Sequence, residues 1–131
     1  MFPITTSLAV LILALITLLA INTTRVRLKT PREPSAEQRE ALRRAMRTHG
    51  NNFEHGVTVI LLMLFYEVSG GSATLLCGLG LAYLLLRLVY SFGYLTRPAS
   101  LPQQLGAGGT YLIELTLVVM VLWSVLAKHA A

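Results

Sequence analysis

The chain has 131 residues, 54% hydrophobic and only 13% charged, with a mean hydropathy of +0.63; too little polar sequence remains to cover a core, which excludes a soluble globular domain. The net charge is +5, yet eight of the eleven Lys and Arg residues lie between Arg25 and Arg47, so the basic character is a juxtamembrane topology signal and not a nucleic-acid surface. Cys77 is the only cysteine and there is no Asp, which excludes intrachain disulfides, cysteine metal sites and Ser-His-Asp catalysis; no Gly-rich loop between strand and helix is present to hold a nucleotide.

Residues 4–22 form a first apolar run with an uncharged start, long enough to cross a bilayer and so a membrane helix, not a cleavable signal. Residues 25–34 carry Arg25, Arg27, Lys29 and Arg32 with two prolines, a conformationally restricted basic connector that the positive-inside rule places in the cytoplasm. Ser35 followed by Gln38 has the form of a capping box, with Glu37 and Glu40 in the first turns. A helix is therefore predicted to start outside the bilayer at about Ser35, to continue through Ala41, Leu42, Ala45 and Met46 at helical spacing, and to enter the membrane as a second span around residues 57–66.

A short turn over residues 67–71 leads into a third span over residues 72–95, where Gly78, Gly80, Ala82 and Gly93 allow close helix approach, and Cys77 reads as an inert packing thiol. A connector over residues 96–106, with Arg97, returns the chain to the cytoplasmic side before a fourth span over residues 108–127. The expectation is one all-α, integral membrane four-helix bundle over residues 1–131, with the first loop cytoplasmic and both termini on the opposite side. No retention or lipidation motif is seen, the chain ending Lys128-His129-Ala-Ala, which leaves a plasma or inner membrane as the default.

Polar residues inside spans are costly unless they are paired or line a cavity, which singles out Glu54, Arg87 and Glu114. Arg47, Asn51 and Glu54 share one face of the second helix, and Arg87, Tyr90 and Tyr94 one face of the third, with Tyr94 about 10 Å along the axis from Arg87. Two readings follow. Glu54 and Arg87 form a structural ion pair, or the two stripes line a cytoplasm-facing cleft in which arginines hold carboxylates and tyrosine hydroxyls donate to an anion. Glu114, near Tyr111 and Thr116, reads as a structural contact or a protonated carboxyl. His49 and His55 flank the stripe without a second ligand at metal-binding spacing, so no metal site is expected.

The segments Arg47-Thr-His-Gly-Asn51-Asn-Phe-Glu54 and Arg87-Leu-Val-Tyr90-Ser-Phe-Gly-Tyr94 resemble the MAPEG family, the membrane-associated proteins in eicosanoid and glutathione metabolism, and the likeness covers almost the whole chain. The resemblance implies a homotrimer of four-helix subunits with glutathione as cosubstrate, bound between subunits near the cytoplasmic face, and lipophilic substrates entering from the bilayer. It further implies glutathione contacts at Arg47, Asn51 and Glu54, at Arg87, Tyr90 and Tyr94, at Tyr111, and at Arg27 from the adjacent subunit.

One departure stands out. Where the leukotriene and prostaglandin synthases of that family carry an arginine shortly before this tyrosine, held to stabilise the glutathione thiolate, this chain reads Gly106-Ala107-Gly108-Gly109. A cysteine-like thiol has a pKa of about 8.5 and needs a nearby cation or donor to ionise at neutral pH; Tyr94 and Arg97 are the candidates for that catalytic role. Three functions are carried forward: a glutathione transferase or peroxidase acting on lipophilic electrophiles, a non-catalytic lipid- or glutathione-binding member of the family, and a small oligomeric transporter using Glu114 and Arg87.

Overall fold

The computed structural model describes residues 3–129, and side chains for residues 3–127, so the Lys128-His129 tail lies outside the described side chains and Ala130 and Ala131 outside the described residues. Four helices follow one another: α1 (Pro3–Lys29), α2 (Ala36–Val68), α3 (Ala73–Thr96) and α4 (Leu101–His129). The capping box that starts α2 is formed: the Gln38 N–H donates to Ser35 Oγ at 3.2 Å and the Ser35 N–H donates to Gln38 Oε1 at 2.9 Å. Ser72 caps α3 with a single bond, its Oγ accepting the Leu75 N–H at 3.5 Å, while its own N–H donates to the Tyr66 hydroxyl.

Two boundaries differ from expectation. α1 continues past residue 22 to Lys29, because nothing breaks the helix before Pro31 and its last turn carries Arg27 and Lys29, which suit the negative end of the helix dipole. The basic segment is thus mostly helix, and the connector shrinks to residues 30–35. α4 starts at Leu101, seven residues before the expected 108, because Pro102 falls in the first turn, where its missing N–H costs nothing. The chain turns from α3 into α4 within residues 97–100, where Ala99 takes a positive φ of 61° and the Gln103 side chain accepts the Ala99 N–H.

Three helices, α1, α3 and α4, are long and apolar enough to cross a membrane. α2 has 33 residues, about 50 Å of helix; its first half is charged and its second half packs its apolar face on α1 and α3. α1 packs against α2 and α3, while α4 packs against α2 and α3 on the other side. A core stripe of Leu8, Ile12 and Ile16 on α1 meets Val59 and Met63 on α2, with Tyr83 of α3 and Leu117 of α4 completing the interior. The outer surface is apolar as well: Leu18, Leu85 and Leu112 are each more than 60% exposed, the reverse of a water-facing surface and the solution expected in lipid.

Small residues set the closest approaches. A Cβ at Gly106 would meet the Tyr90 backbone N at 2.6 Å and the Leu86 carbonyl O at 2.7 Å, and one at Gly93 would strike the backbone of Gln103, so α3 and α4 touch main chain to main chain. Gly80 makes room for Leu8 and Met63, whereas Gly78 faces open space and serves no contact within the subunit. Cys77 is exposed beside α1 and is not packed as expected.

The two ends of the bundle are tied differently. At one end Arg44 reaches the Thr96 carbonyl. At the other, Glu67, just beyond the apolar run of α2, accepts the N–H groups of Ile4 at 3.2 Å and Thr5 at 2.9 Å, satisfying donors that the first turn of α1 leaves open. Partial burial alone would raise the Glu67 pKa; the hydrogen bonds from Thr5 and Ile4 outweigh it and hold the carboxyl below the usual range. A lowered folded-state pKa contributes stability that is present above the unfolded value and lost as pH falls through the folded one. Glu67→Gln should therefore lower stability in detergent by roughly 1 kcal/mol at neutral pH, and the gap to the parent protein should close on acidification below about pH 4, measured by thermal unfolding across pH.

Candidate functional site

Arg87, in the middle of α3, has a side chain only 1% exposed. A buried guanidinium must have its donors met. Nη2 donates to Asn51 Oδ1 at 2.7 Å, Nε to Asn52 Oδ1 at 3.0 Å, and Nη1 to Thr110 Oγ1 at a longer 3.4 Å. The Tyr90 ring lies under the guanidinium, 4.4 Å from Cζ to the ring centroid, in cation–π geometry. The acceptors are themselves held: Asn52 Nδ2 donates to the Thr48 carbonyl at 2.8 Å and to Ser91 Oγ at 3.0 Å, and Thr110 Oγ1 donates to the Gly106 carbonyl at 2.8 Å. Among the described residues Arg87 makes no ion pair; it is a positive charge solvated by neutral dipoles.

A cleft of about 310 Å³ opens beside it, near the lower limit for a small-molecule site. Each wall follows from helical spacing. α2 supplies Arg47, Asn51 and His55, four residues apart; α3 supplies Arg87, Tyr90 and Tyr94; α4 supplies Gln103, Ala107 and Tyr111, again four apart. The Tyr90 and Tyr94 rings stack at 5.9 Å. His55 Nδ1 lies 2.7 Å from Glu114 Oε1, and the His55 ring meets the Tyr111 ring edge-on at 5.3 Å. A larger hollow of about 430 Å³ beside Leu42 and Met46 is apolar and open, without buried polar groups, and does not offer comparable chemistry.

The structure brings together Arg47, Asn51, Arg87, Tyr90, Tyr94 and Tyr111. It leaves three of the expected site residues outside this cleft. Glu54 is exposed on the outer face of α2, because the inward stripe steps by four from Asn51 to His55 and so passes it by. The Glu54–Arg87 ion pair is not formed: Asn51 and Asn52 take the guanidinium, and the carboxylate near the site is Glu114, paired with His55. Arg27 is exposed at the end of α1, and Arg97 is exposed at the C-cap of α3.

Sequence reasoning missed Asn52, Thr110, His55 and Gln103. The signal for His55 was present, since it continues the Arg47–Asn51 spacing; Thr110 lies beside a tyrosine and had none. Asn52→Leu removes an acceptor from a buried cation and should cost about 2 kcal/mol, seen as a lower unfolding temperature in detergent, with the rest of the bundle still helical by circular dichroism.

Comparison with known proteins is consistent with this architecture. The chain matches the MAPEG family over residues 5–123, nearly its whole length. No curated protein and no solved structure matches it. Four helices in a membrane bundle, a buried arginine facing an asparagine pair, and a family match across almost every residue lead to one conclusion: the chain belongs to the MAPEG family, membrane proteins associated with glutathione and eicosanoid metabolism.

Proposed function

We propose that the protein is a membrane glutathione transferase or peroxidase, which binds glutathione in this cleft near the cytoplasmic face and joins it to, or reduces with it, electrophiles dissolved in the bilayer. The observation that carries the reading is the buried Arg87 cation, held by neutral groups in a cleft that a second cation, Arg47, also lines. Such a site gains most from an anion, and glutathione offers two carboxylates. Asn51 and the Tyr90 and Tyr94 hydroxyls add polar groups beside the two arginines, and Tyr111 presents a ring at the lipid-facing edge.

Glu54 and Arg27 keep a role in this reading across a subunit boundary. An ionised Glu54 exposed on the apolar face of α2 is costly in lipid and is relieved by a neighbouring copy; in a homotrimer Glu54, and Arg27 from the cytoplasmic end of α1, would reach glutathione. Orientation follows from the basic end of the bundle: the Arg47 end of the cleft lies toward the connectors at residues 30–35 and 97–100, which the positive-inside rule puts in the cytoplasm. Tyr94 is the candidate donor to the sulfur; Arg97, outside the cleft, is the weaker choice.

A second reading, a family member that binds glutathione or a lipid without chemistry, is favoured by one observation. The α4 wall, Gln103, Ala107 and Tyr111, carries no cation to stabilise a thiolate. Calorimetry with glutathione on detergent-purified protein tests the binding that both readings share. Arg47→Ala should weaken glutathione about tenfold, ~1.4 kcal/mol, at an unchanged unfolding temperature, since Arg47 is exposed in the free subunit; absence of binding by the parent protein would overturn the assignment. Tyr94→Phe should leave binding within a fewfold; a sulfur held at Tyr94 would then ionise at higher pH, followed by thiolate absorbance, and an unchanged midpoint takes Tyr94 out of the mechanism.

A further inference from the structure

With no cation on the α4 wall, the thiol must ionise by another route, and the cleft holds a group suited to it. Resting on the glutathione reading above, and in place of Tyr94 as the group at the sulfur, the geometry points to His55 as the general base that takes the thiol proton, with Glu114 as its positioning residue. The two side chains face each other from α2 and α4 at 2.7 Å, Nδ1 to Oε1, and both are largely buried, 17% and 15% exposed. In this assignment Glu114 is the carboxylate, which only accepts, so Nδ1 of His55 is the donor and Nε2 keeps its lone pair. The Tyr111 ring, edge-on at 5.3 Å, restricts the imidazole. This is the base-plus-orienting-carboxylate arrangement by which weak nucleophiles are activated.

Reach is consistent. His55 lies one turn, about 6 Å along α2, beyond Asn51, which holds Arg87 at 2.7 Å, and a tripeptide about 10 Å long has its central residue about 5 Å from either end; a glutathione whose carboxylate is held at Arg87 can bring its central thiol to the imidazole. In the step itself the S–H bond breaks and its proton passes to Nε2. The sulfur lone pair then forms the C–S bond. With an alkyl or aryl halide, the carbon–halogen bond breaks, halide leaves with the pair, and the imidazolium proton goes to water. With a conjugated carbonyl, the same proton returns to the α-carbon. No redox change occurs.

The charges facing the pair favour this transfer. Arg87 and Arg47 stabilise a thiolate in the cleft and disfavour an isolated imidazolium, whereas Glu114 stabilises the imidazolium. The Tyr83 hydroxyl of α3, buried and without a protein partner, and the Tyr90 and Tyr111 hydroxyls are the other titratable groups at this level; from α1, Ile12 and Ile16 pack against the adjacent Gly56.

The test uses full-length protein in detergent, with glutathione and S-methylglutathione as probes. Calorimetry comes first, since a parent protein that binds neither probe defeats the glutathione reading itself. Given binding, thiolate absorbance is titrated against pH for the parent, His55→Gln and Glu114→Gln. The expected result is S-methylglutathione affinity within about twofold in all three, a bound-thiol midpoint at least one pH unit higher in His55→Gln, and a smaller upward shift in Glu114→Gln. The latter keeps an acceptor for Nδ1 and loses only the charge, so it serves where His55→Gln does not fold. Bound glutathione whose midpoint is unmoved by either substitution, or that the parent never ionises near neutral pH, overturns the base assignment and leaves the binding reading standing.

Discussion

A guanidinium cannot be left bare inside a membrane bundle, and its neutral form is out of reach at any ordinary pH. Much of the middle of this molecule is arranged around that fact. The Asn51-Asn52 doublet takes Nη2 and Nε from α2, Thr110 takes Nη1 from α4, Ser91 and Thr48 in turn hold Asn52, and the Tyr90 ring covers the cation's face. Three helices are thereby joined through one side chain. Since the partners are all uncharged, the positive charge stays available to whatever enters the cleft, which distinguishes this network from a closed ion pair that would stabilise the bundle and neutralise the site together.

The glycines of α4 bear on the same point. Gly106 lies where α4 meets the Tyr90 backbone and Gly109 where it meets the Leu86 side chain, so a Cβ is obstructed by main chain at the first and by a leucine at the second. A long cationic side chain there would push α4 off α3. The close approach in turn carries Gln103, Ala107 and Tyr111 to the cleft wall. Positive charge at the site comes from Arg47 of α2 and Arg87 of α3, and the nearest carboxylate, Glu114, comes from one turn deeper on α4.

Much of this could be read from the residues. Helix count, the capping box at Ser35 and the two polar stripes all depend on local chemistry and a 3.6-residue period, which the chain displays openly. The failures share a cause. One of the two readings paired Arg87 with Glu54 because opposite charges at similar depth attract, but pairing depends on helix rotation, and a one-residue difference turns Glu54 outward while His55 faces in. The His55–Glu114 contact joins residues 59 apart, beyond any local pattern. Helix ends were misjudged where proline and glycine suggested loops, because tertiary packing of α4 on α3 outweighs glycine's poor helix propensity.

The tie between Glu67 and the start of α1 has a consequence for the order in which the bundle closes. The first-turn N–H groups of Ile4 and Thr5 find their acceptors on a residue more than sixty positions later. Those donors are therefore met only once the end of α2 has docked beside the start of α1, so the capping of the first helix is completed by the antiparallel packing of the second.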